Sequence, residues 1–271
     1  MSKTVSSTFA AADGAGYEEQ MGRWSRRLAE PFLDFAGSAP EDEVLDIGCG
    51  TGCLAQAMLR GRPFTRLTGI DFSPVYVAHA ARQVCDPRIA FEVGDACALT
   101  RADASFDRVF ALLVLHFVPR AEQAIAEMRR VARPGAVAAA AVWDARGGFV
   151  ANRIFFDTAA ALVPAANERR ARNYTRPMTR PGELGRAWRA AGFEQVTETS
   201  LAIRMEFASF DDYWRPYEGR DGPGAEFMAT LDIGQRAQLR DAVRRAYLDG
   251  ETDGLRSYAA TAWAVKGVAP A

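Results

Sequence analysis

Apolar side chains recur at helical spacing near the beginning of the chain. The repeating positions are Tyr17, Met21, Trp24, Leu28 and Phe32. Steps of three or four residues place them on one face of a helix, so residues 17–42 are predicted to form a helical cap before the first strand. Pro31 is expected to end or kink this helix, because proline has no backbone N–H to donate.

From residue 43 to residue 143, short apolar runs alternate with amphipathic segments. The predicted strands are residues 43–47, 66–70, 89–93, 106–111 and 136–143. The predicted helices are residues 51–60, 74–84 and 121–132. Strands that alternate with helices are typical of βαβ units, which build a parallel sheet with helices on both faces. The pattern therefore predicts an α/β, doubly wound fold.

After Trp143 the alternation is interrupted. Further helices are predicted at residues 149–163, 183–191, 211–217 and 235–248, and strands at 193–207 and 255–266. Loops are expected before Pro181 and at residues 219–224, where Arg, Pro, Asn and Gly are frequent. Insertions near the carboxyl ends of strands commonly cover the site in such folds. Residues 144–185 and 207–250 are therefore expected to cover the substrate within one domain, residues 17–271, and residues 1–16 are expected to be a flexible tail.

The charge balance narrows the class of partner. The chain has 33 Lys and Arg against 34 Asp and Glu, and its formal net charge is −1. Without a global basic field, neither nucleic acid nor a membrane is expected as a partner. A local cluster is expected to be a solvated face. It consists of Arg169, Arg170, Arg172, Arg176 and Arg180.

Cysteine and histidine usage argues against a metal site. The four cysteines form no CxxC pair, and the chain has only two histidines.

The cysteines are typical of the reduced thiols of a cytoplasmic protein. The first residues lack the apolar core of a signal peptide, and the longest apolar run, residues 109–118, is too short to span a bilayer. The sequence indicates no oligomeric state.

A glycine-rich loop follows the first predicted strand and precedes a helix. It runs Asp46-Ile47-Gly48-Cys49-Gly50-Thr51-Gly52. Glycines leave no Cβ between the backbone and a ligand, and the following helix offers free N–H groups. A glycine turn without a ligand is the alternative interpretation. In the usual dinucleotide motif the third glycine comes one residue later than it does here. In addition, Asp46 before the loop would repel a pyrophosphate but would suit an ammonium or sulfonium group.

The order of motifs resembles that of class I S-adenosylmethionine-dependent methyltransferases. In that family such a loop packs against the methionine part and the ribose of the cofactor. Asp71, at the end of the second strand, matches the acid that accepts hydrogen bonds from both ribose hydroxyls, although NAD enzymes use the same device. Asp95, in Gly94-Asp95-Ala96, matches the residue that accepts from the adenine amino group, with a simple turn-forming role as the alternative.

The resemblance implies a cofactor site assembled from several segments, with residues 43–143 as the cofactor-binding core. The implied cofactor-binding residues are Tyr17, Met21, Trp24, Asp46, Gly48, Cys49, Gly50, Gly52, Asp71, Phe72, Ser73, Asp95, Ala96, Ala111 and Leu112. Core packing explains the spacing of Tyr17, Met21 and Trp24 equally well. Cys49 is expected to present its backbone rather than to act as a nucleophile.

The flanking segments are similar to a narrower group, bacterial small-molecule methyltransferases of the ubiquinone/menaquinone type. The similar segments are residues 17–28, 142–144, 210–216 and 262–266. With them the resemblance covers nearly the whole chain. It implies a mostly parallel seven-stranded sheet with an antiparallel last strand. It does not identify the methyl acceptor.

Candidate residues for the chemistry lie at the ends of the fourth and fifth strands and in the second insertion. His116 follows the fourth strand, whose end faces the methyl group in this family, and histidine titrates near neutral pH. It is the candidate base and substrate contact, with packing as the alternative. Trp143 and Asp144 are expected to line the acceptor pocket or to close the sheet. Tyr213 and Trp214 are expected to cover an apolar acceptor or to form a buried helix face.

These patterns predict methyl transfer from S-adenosylmethionine to a small molecule, at oxygen rather than carbon or nitrogen, with S-adenosylhomocysteine as product. The sequence after the fourth strand, Ala111-Leu112-Leu113-Val114, lacks the D/N-P-P-Y/F motif of enzymes that methylate nucleic-acid amino groups. One alternative is a cofactor-binding protein of the same fold with a regulatory role or other chemistry. A second is an NAD-linked oxidoreductase, which the glycine spacing disfavours.

Overall fold

The computed structural model of the protein describes residues 7–9 and 11–271. Its seven strands are β1 Glu43–Ile47, β2 Arg66–Asp71, β3 Ile89–Val93, β4 Phe106–Leu112, β5 Ala132–Trp143, β6 Glu194–Phe207 and β7 Arg256–Val268. They form one sheet in the order β3-β2-β1-β4-β5-β7-β6. Strands β1 to β5 are parallel, and β7 pairs antiparallel with both of its neighbours. The predicted doubly wound fold with an antiparallel last strand is confirmed.

The α-helices surround this sheet. They are α1 Gly14–Tyr17, α2 Arg23–Ala36, α3 Cys53–Leu59, α4 Pro74–Gln83, α5 Ala121–Val131, α6 Val150–Leu162, α7 Ala165–Tyr174, α8 Glu183–Ala190, α9 Phe210–Trp214, α10 Gly222–Ala229 and α11 Ile233–Leu248. A π-helical turn, Glu18–Gly22, joins α1 to α2. Short 3₁₀ turns cover Leu115–Phe117 and Arg215–Glu218.

Two apolar clusters lie against opposite faces of the sheet. Neighbouring residues of β4 divide between them: Phe110 belongs to the cluster containing Phe32 of α2, whereas Val109 belongs to the one containing Ile125 and Met128 of α5. The Phe32 and Phe110 rings meet edge to face, with centroids 5.6 Å apart. Successive strand residues point to opposite faces, so this division shows that helices cover both sides of the sheet.

The two inserted regions pack against each other. The Tyr213 hydroxyl of α9 donates a hydrogen bond to the Ala151 carbonyl of α6, with an oxygen–oxygen distance of 2.9 Å. The Phe155 ring of α6 stacks on Tyr217 with centroids 4.0 Å apart. Segments that are distant in sequence therefore form one aromatic layer beside the carboxyl ends of β4 and β5.

The structure differs from the predicted elements at several points. Helices α7 and α10 occupy segments predicted as loops. Helix α7 is polar on most of its surface, and α10 begins with Gly222-Pro223-Gly224, so neither shows an apolar helical period. Helix α2 continues past Pro31 to Ala36, and β5 already begins before Pro134-Gly135, at Ala132.

Residues 1–6 and 10 of the predicted flexible tail lie outside the described residues. Within the described part of the chain, no helix is long and apolar enough to cross a membrane. The same part contains no cluster of three or more His, Cys, Asp or Glu residues arranged to hold a metal ion. The four cysteines are free thiols.

Candidate functional site

The glycine loop leaves β1 in a conformation that glycine adopts readily. Gly48, Gly50 and Gly52 have φ values of +69°, +53° and +88°. A Cβ on Gly48 would lie 2.3 Å from a Val114 methyl group, whereas a Cβ on Gly50 would meet no protein atom within 4 Å. Gly48 is therefore required by the fold, and the space in front of Gly50 is open to a ligand.

Asp71 braces the glycine loop from the end of β2. Its Oδ2 accepts a hydrogen bond from the Gly50 N–H at 2.9 Å, and its Oδ1 accepts from the Ser73 N–H at the same distance. Burial raises the pKa of Asp71, and these two hydrogen bonds partly oppose that rise. Each carboxylate oxygen has two lone pairs, so both oxygens can still accept from a ribose hydroxyl.

Asp46, at the end of β1, is a buried carboxylate. It is 1% exposed, and within the described chain its Oδ2 has no hydrogen-bond partner. Burial, and then the charge of Asp71, raises the pKa of Asp46 well above its usual range. Burial also raises the pKa of the Cys49 thiol, which keeps it protonated and agrees with a backbone role. A cationic ligand group beside Asp46 would satisfy the orphaned oxygen.

Asp95 organises the turn after β3. Its Oδ1 accepts a hydrogen bond from the Cys97 N–H at 2.8 Å, and its Oδ2 lies 3.6 Å from an Arg120 guanidinium nitrogen. The turn-forming role is therefore present, and it leaves the adenine-binding role of Asp95 and Ala96 a prediction. Phe72 is half-buried, and Ser73 caps α4 by accepting from the Tyr76 N–H at 3.3 Å.

The N-terminal helical cap contacts the glycine loop directly. Glu18 accepts a hydrogen bond from the Thr51 hydroxyl and forms an ion pair with Arg26. The Tyr17 hydroxyl lies 3.3 Å from the Ser25 hydroxyl, and burial raises the pKa of Tyr17. These contacts fix the cap against the beginning of α3.

A cavity opens at the end of β4, where Leu113 lines it and the neighbouring Val114 lies against Gly48 of the glycine loop. Its wall includes Phe9, Tyr17, Met21, Trp24, Leu113, His116, Phe117, Trp143, Phe149, Arg176, Phe207, Tyr213 and Tyr217. The wall is mainly aromatic, with few polar groups, as is typical of a site for one small organic molecule.

His116 lies in the cavity wall, in the 3₁₀ turn after β4. It is 4% exposed, and its ring packs on Phe117 with centroids 4.1 Å apart. Burial, and then the charge of Arg176, lowers the pKa of His116 well below its usual value. Within the described chain, Nδ1 of His116 has no hydrogen-bond partner. The imidazole is therefore neutral at pH 7 and has a free polar atom.

The other predicted acceptor contacts divide into two groups. Trp143 and Tyr213 line the cavity, and Trp143 stacks on Phe149 at 5.0 Å. Asp144 is absent from the described lining. Its Oδ1 instead accepts from the N–H groups of Arg146 and Gly147, each at 3.1 Å, and so holds a turn.

Trp214 is likewise absent from the described lining of this cavity. Its indole N–H donates to Glu218, and its ring stacks on Phe210 at 5.8 Å. Trp214 thus corresponds to the alternative interpretation, a buried helix face. Ala111 and Leu112 are buried at the end of β4. The next residue, Leu113, lines the cavity with a φ of +62°, an unusual conformation that sequence reasoning did not identify.

Two residues near the N-terminus, Thr8 and Phe9, contact the wall of this cavity. Phe9 packs on Phe117 with ring centroids 4.8 Å apart, and the Thr8 N–H donates to the Phe117 carbonyl at 2.9 Å. The Ala12 and Asp13 N–H groups donate to Oδ1 of Asp221 at 2.7 and 3.2 Å. The described part of this segment is therefore held across the cavity by defined contacts.

The comparisons with known proteins agree with this geometry. Residues 44–135 match the family model of a methyltransferase domain. The 27-O-demethylrifamycin SV methyltransferase of Amycolatopsis mediterranei is 39% identical over 127 residues, which are 45% of this chain and 45% of that protein. A ubiquinone/menaquinone biosynthesis C-methyltransferase of Desulfotalea psychrophila is 34% identical over 113 residues, or 42% of this chain and 44% of that protein. Both alignments span less than half of the relative's length.

A solved structure extends the similarity of the fold to most of the chain. The phosphoethanolamine N-methyltransferase 2 of Haemonchus contortus, in complex with S-adenosyl-L-methionine, superposes with a TM-score of 0.58. The match covers 97% of this chain and 61% of that chain at 14% identity, which shows a shared fold. The predicted resemblance to class I methyltransferases is confirmed by the matched domain, by both relatives and by the shared fold.

The residues of the site fit S-adenosylmethionine on physical grounds. The orphaned Oδ2 of Asp46 suits a cationic group, and the open space in front of Gly50 admits a ligand against the backbone. Asp71 stands at the end of the neighbouring strand with spare lone pairs. An acidic set of this kind would repel the pyrophosphate of a dinucleotide, which has no counter-charge here.

Proposed function

We propose that this protein transfers a methyl group from S-adenosylmethionine to an oxygen atom of a small molecule, leaving S-adenosylhomocysteine. The observation that carries the proposal is that the aromatic cavity lies at the end of β4, where Leu113 and His116 line it and the neighbouring Val114 lies against Gly48 of the glycine loop. When bound, the cofactor supplies a methyl group on a positively charged sulfur.

The chain holds the cofactor through groups at three strand ends. Gly50 gives the ligand direct access to the backbone, and Asp71 accepts hydrogen bonds from the ribose hydroxyls. Asp46 attracts the cationic methionine portion, and Asp95 with Ala96 borders the adenine. Tyr17, Met21 and Trp24 close the cap over the boundary between cofactor and acceptor.

The acceptor occupies the aromatic cavity. Trp143, Phe207 and Tyr213 exclude water from it and orient an apolar body, and positioning of this kind accounts for much of the acceleration in a displacement reaction. His116 is neutral at pH 7, so its imidazole can accept a hydrogen bond or a proton from an acidic hydroxyl group. Methylation at oxygen fits this environment better than methylation at carbon.

The chemistry of the partner follows from the same features. The relatives are named as a 27-O-demethylrifamycin SV methyltransferase and a ubiquinone/menaquinone biosynthesis C-methyltransferase, which supports a small-molecule acceptor. The near-zero net charge disfavours nucleic acid. The four free thiols support a cytoplasmic location, where thiols remain reduced.

A titration followed by a transfer assay tests the proposal. Calorimetric titration with S-adenosylmethionine and with NADH should show binding of the first ligand only. A screen with radiolabelled methyl donor against phenols, quinols and amines should then label an oxygen acceptor. Binding of NADH alone would favour an oxidoreductase. Cofactor binding without transfer to any acceptor would favour the regulatory alternative.

A further inference from the structure

Arg176 is a half-buried cation in the wall of the acceptor cavity. Its guanidinium carbon lies 4.3 Å from the centroid of the Phe117 ring, and its Nη2 donates to Oδ1 of Asn173 at 3.3 Å. Both Arg176 and Asn173 line the cavity, and Asn173 is 6% exposed. The guanidinium therefore has an aromatic face and a neutral amide as its neighbours.

No carboxylate neutralises this cation. Throughout the described chain, which includes every acidic residue of the sequence, Arg176 forms no ion pair. The carboxylate of Glu226 is near enough for its charge to favour the charged form of Arg176, but Glu226 is already ion-paired with Arg169. Burial, and then the charge of Arg169, lowers the pKa of Arg176 to about 10. A partly buried cation without a counter-ion in a cavity wall is costly, so such a group commonly marks a ligand site.

His116 adds to the same polar corner of the cavity. Its ring packs on the other partner of Arg176, Phe117, and its Nδ1 has no hydrogen-bond partner in the described chain. The charge of Arg176 opposes protonation of the imidazole. One permanent cation and one neutral imidazole, set in an aromatic wall, together match an oxyanion on an aromatic ligand.

We propose that the methyl acceptor carries an anionic oxygen group, a carboxylate or an acidic phenolate, on an aromatic body, and that Arg176 binds this anion. This inference rests on the proposed function, because it assigns the acceptor of that same cavity. It makes Arg176 a specificity-determining residue: neutral molecules of the same shape leave its charge unpaired and bind more weakly.

Matched pairs of small aromatic compounds test the proposal. We would titrate the protein, saturated with S-adenosylhomocysteine, with 2-naphthoate against 2-naphthamide and with 4-nitrophenolate against 4-nitroanisole. At least one anion should bind tenfold or more tightly than its neutral partner, which is the size expected for a charge-assisted hydrogen bond. The two pairs distinguish a carboxylate site from a phenolate site.

Variants assign the preference to Arg176. Arg176→Gln should reduce the anion-to-neutral ratio to near one, and Arg176→Lys should retain part of it. The matched control is Arg172→Gln on α7, where the side chain is 63% exposed, and it should keep the full ratio. Arg176→Gln loses the contact with Phe117 but also removes an unpaired charge, so its melting temperature should stay near that of the parent protein.

The outcomes separate this inference from the proposed function. Equal binding of anion and neutral partner by the parent protein would overturn the inference, as would failure of both anions to bind or survival of the ratio in Arg176→Gln. The affinity for S-adenosylhomocysteine is measured first on the same samples. If that ligand does not bind the parent protein, the proposed function itself fails.

Discussion

The backbone N–H of Gly50 donates a hydrogen bond to the Asp71 carboxylate across 2.9 Å, and this contact joins two parts of the cofactor site. Gly50 belongs to the loop after β1, whereas Asp71 ends β2, the neighbouring parallel strand. The carboxylate thus holds the loop in its observed conformation, and in the proposed function it also accepts hydrogen bonds from the ribose hydroxyls. Changes at Asp71 should therefore affect both cofactor affinity and loop order.

Replacing Asp71 with alanine should weaken binding of S-adenosylmethionine. The expected loss is about 1.5–3 kcal/mol for each charged hydrogen bond to the ribose, and the Gly50 and Ser73 N–H groups also lose their acceptor. Calorimetric titration measures the change. Asp86→Ala is the control, because Asp86 pairs with Arg88 on the surface. An Asp71→Ala affinity within error of the parent would show that Asp71 does not hold the ribose.

Gly50→Val should abolish cofactor binding while the protein remains folded. A side chain at Gly50 meets no protein atom, so it would occupy the ligand's space, although the positive φ adds about 1 kcal/mol of strain. Gly37→Val is a stricter control for backbone strain, because Gly37 at the end of α2 has open surroundings and a φ/ψ of 79°/158° that side chains rarely adopt. Gly48→Val should instead destabilise the fold through its clash with Val114. Thermal unfolding and titration of the three variants distinguish these effects.

The cofactor half of the site was predictable because its information is local. Strand and helix alternation places Asp46, Asp71 and Asp95 at the ends of parallel strands, and parallel strands end at one edge of the sheet. Turn chemistry then identifies the glycine loop without any knowledge of distant contacts. The confirmed fold and the predicted cofactor site both rest on these short-range patterns.

The acceptor half depends on packing between distant segments, which the sequence pattern does not encode. Arg172 and Arg176 belong to one arginine-rich cluster predicted to be a solvated face. That prediction agrees with the exposure of Arg172, whereas Arg176 turns into the cavity onto Phe117. Helix α7 has no apolar period that would orient it. For Asp144, the position at a strand end left a substrate contact and a role in closing the sheet as alternatives, and its carboxylate accepts hydrogen bonds within a local turn.

Asp46→Asn should stabilise the protein and weaken cofactor binding. Burial, and then the charge of Asp71, raises the folded-state pKa of Asp46 above its unfolded-state pKa. The protonated carboxyl group therefore contributes its full stabilisation below the unfolded-state pKa, and this stabilisation is lost as the pH rises through the folded-state pKa. At pH 7 the buried carboxylate therefore opposes folding, and the neutral amide should raise the free energy of unfolding by about 1–3 kcal/mol. Denaturant unfolding at several pH values measures this gain, which should vanish in acid.

The same Asp46→Asn variant should bind S-adenosylmethionine more weakly, because the amide offers no charge to the cationic ligand. In the parent protein, affinity should rise with pH as Asp46 ionises, and the variant should lose that dependence. A variant that is less stable at pH 7 would show that the Asp46 charge is compensated in the fold. An unchanged affinity would show that the cofactor's cation binds elsewhere.

Asp221 is the group that fastens the N-terminal segment over the cavity. Its Oδ1 accepts from the Ala12 and Asp13 N–H groups and from the Tyr76 hydroxyl, at 2.7, 3.2 and 2.8 Å. It is 2% exposed, and it directly precedes α10. One carboxylate thus connects the N-terminal segment, α4 and the second insertion. This segment also carries Phe9, which lines the cavity.

Asp221→Ala should release this segment and reduce affinity for both cofactor and acceptor. Each charged hydrogen bond lost costs about 1.5–3 kcal/mol, and the Tyr76 hydroxyl is left without its acceptor. Hydrogen exchange should increase at residues 11–17, while protection of β1 and β4 persists. Asp221→Asn should keep part of the affinity, since its amide oxygen still accepts from the N–H groups. Asp232→Ala, which removes only the N-cap of α11, should lower stability without changing exchange at residues 11–17. Unchanged exchange there in Asp221→Ala would mean that contacts such as Phe9 on Phe117 hold the segment alone.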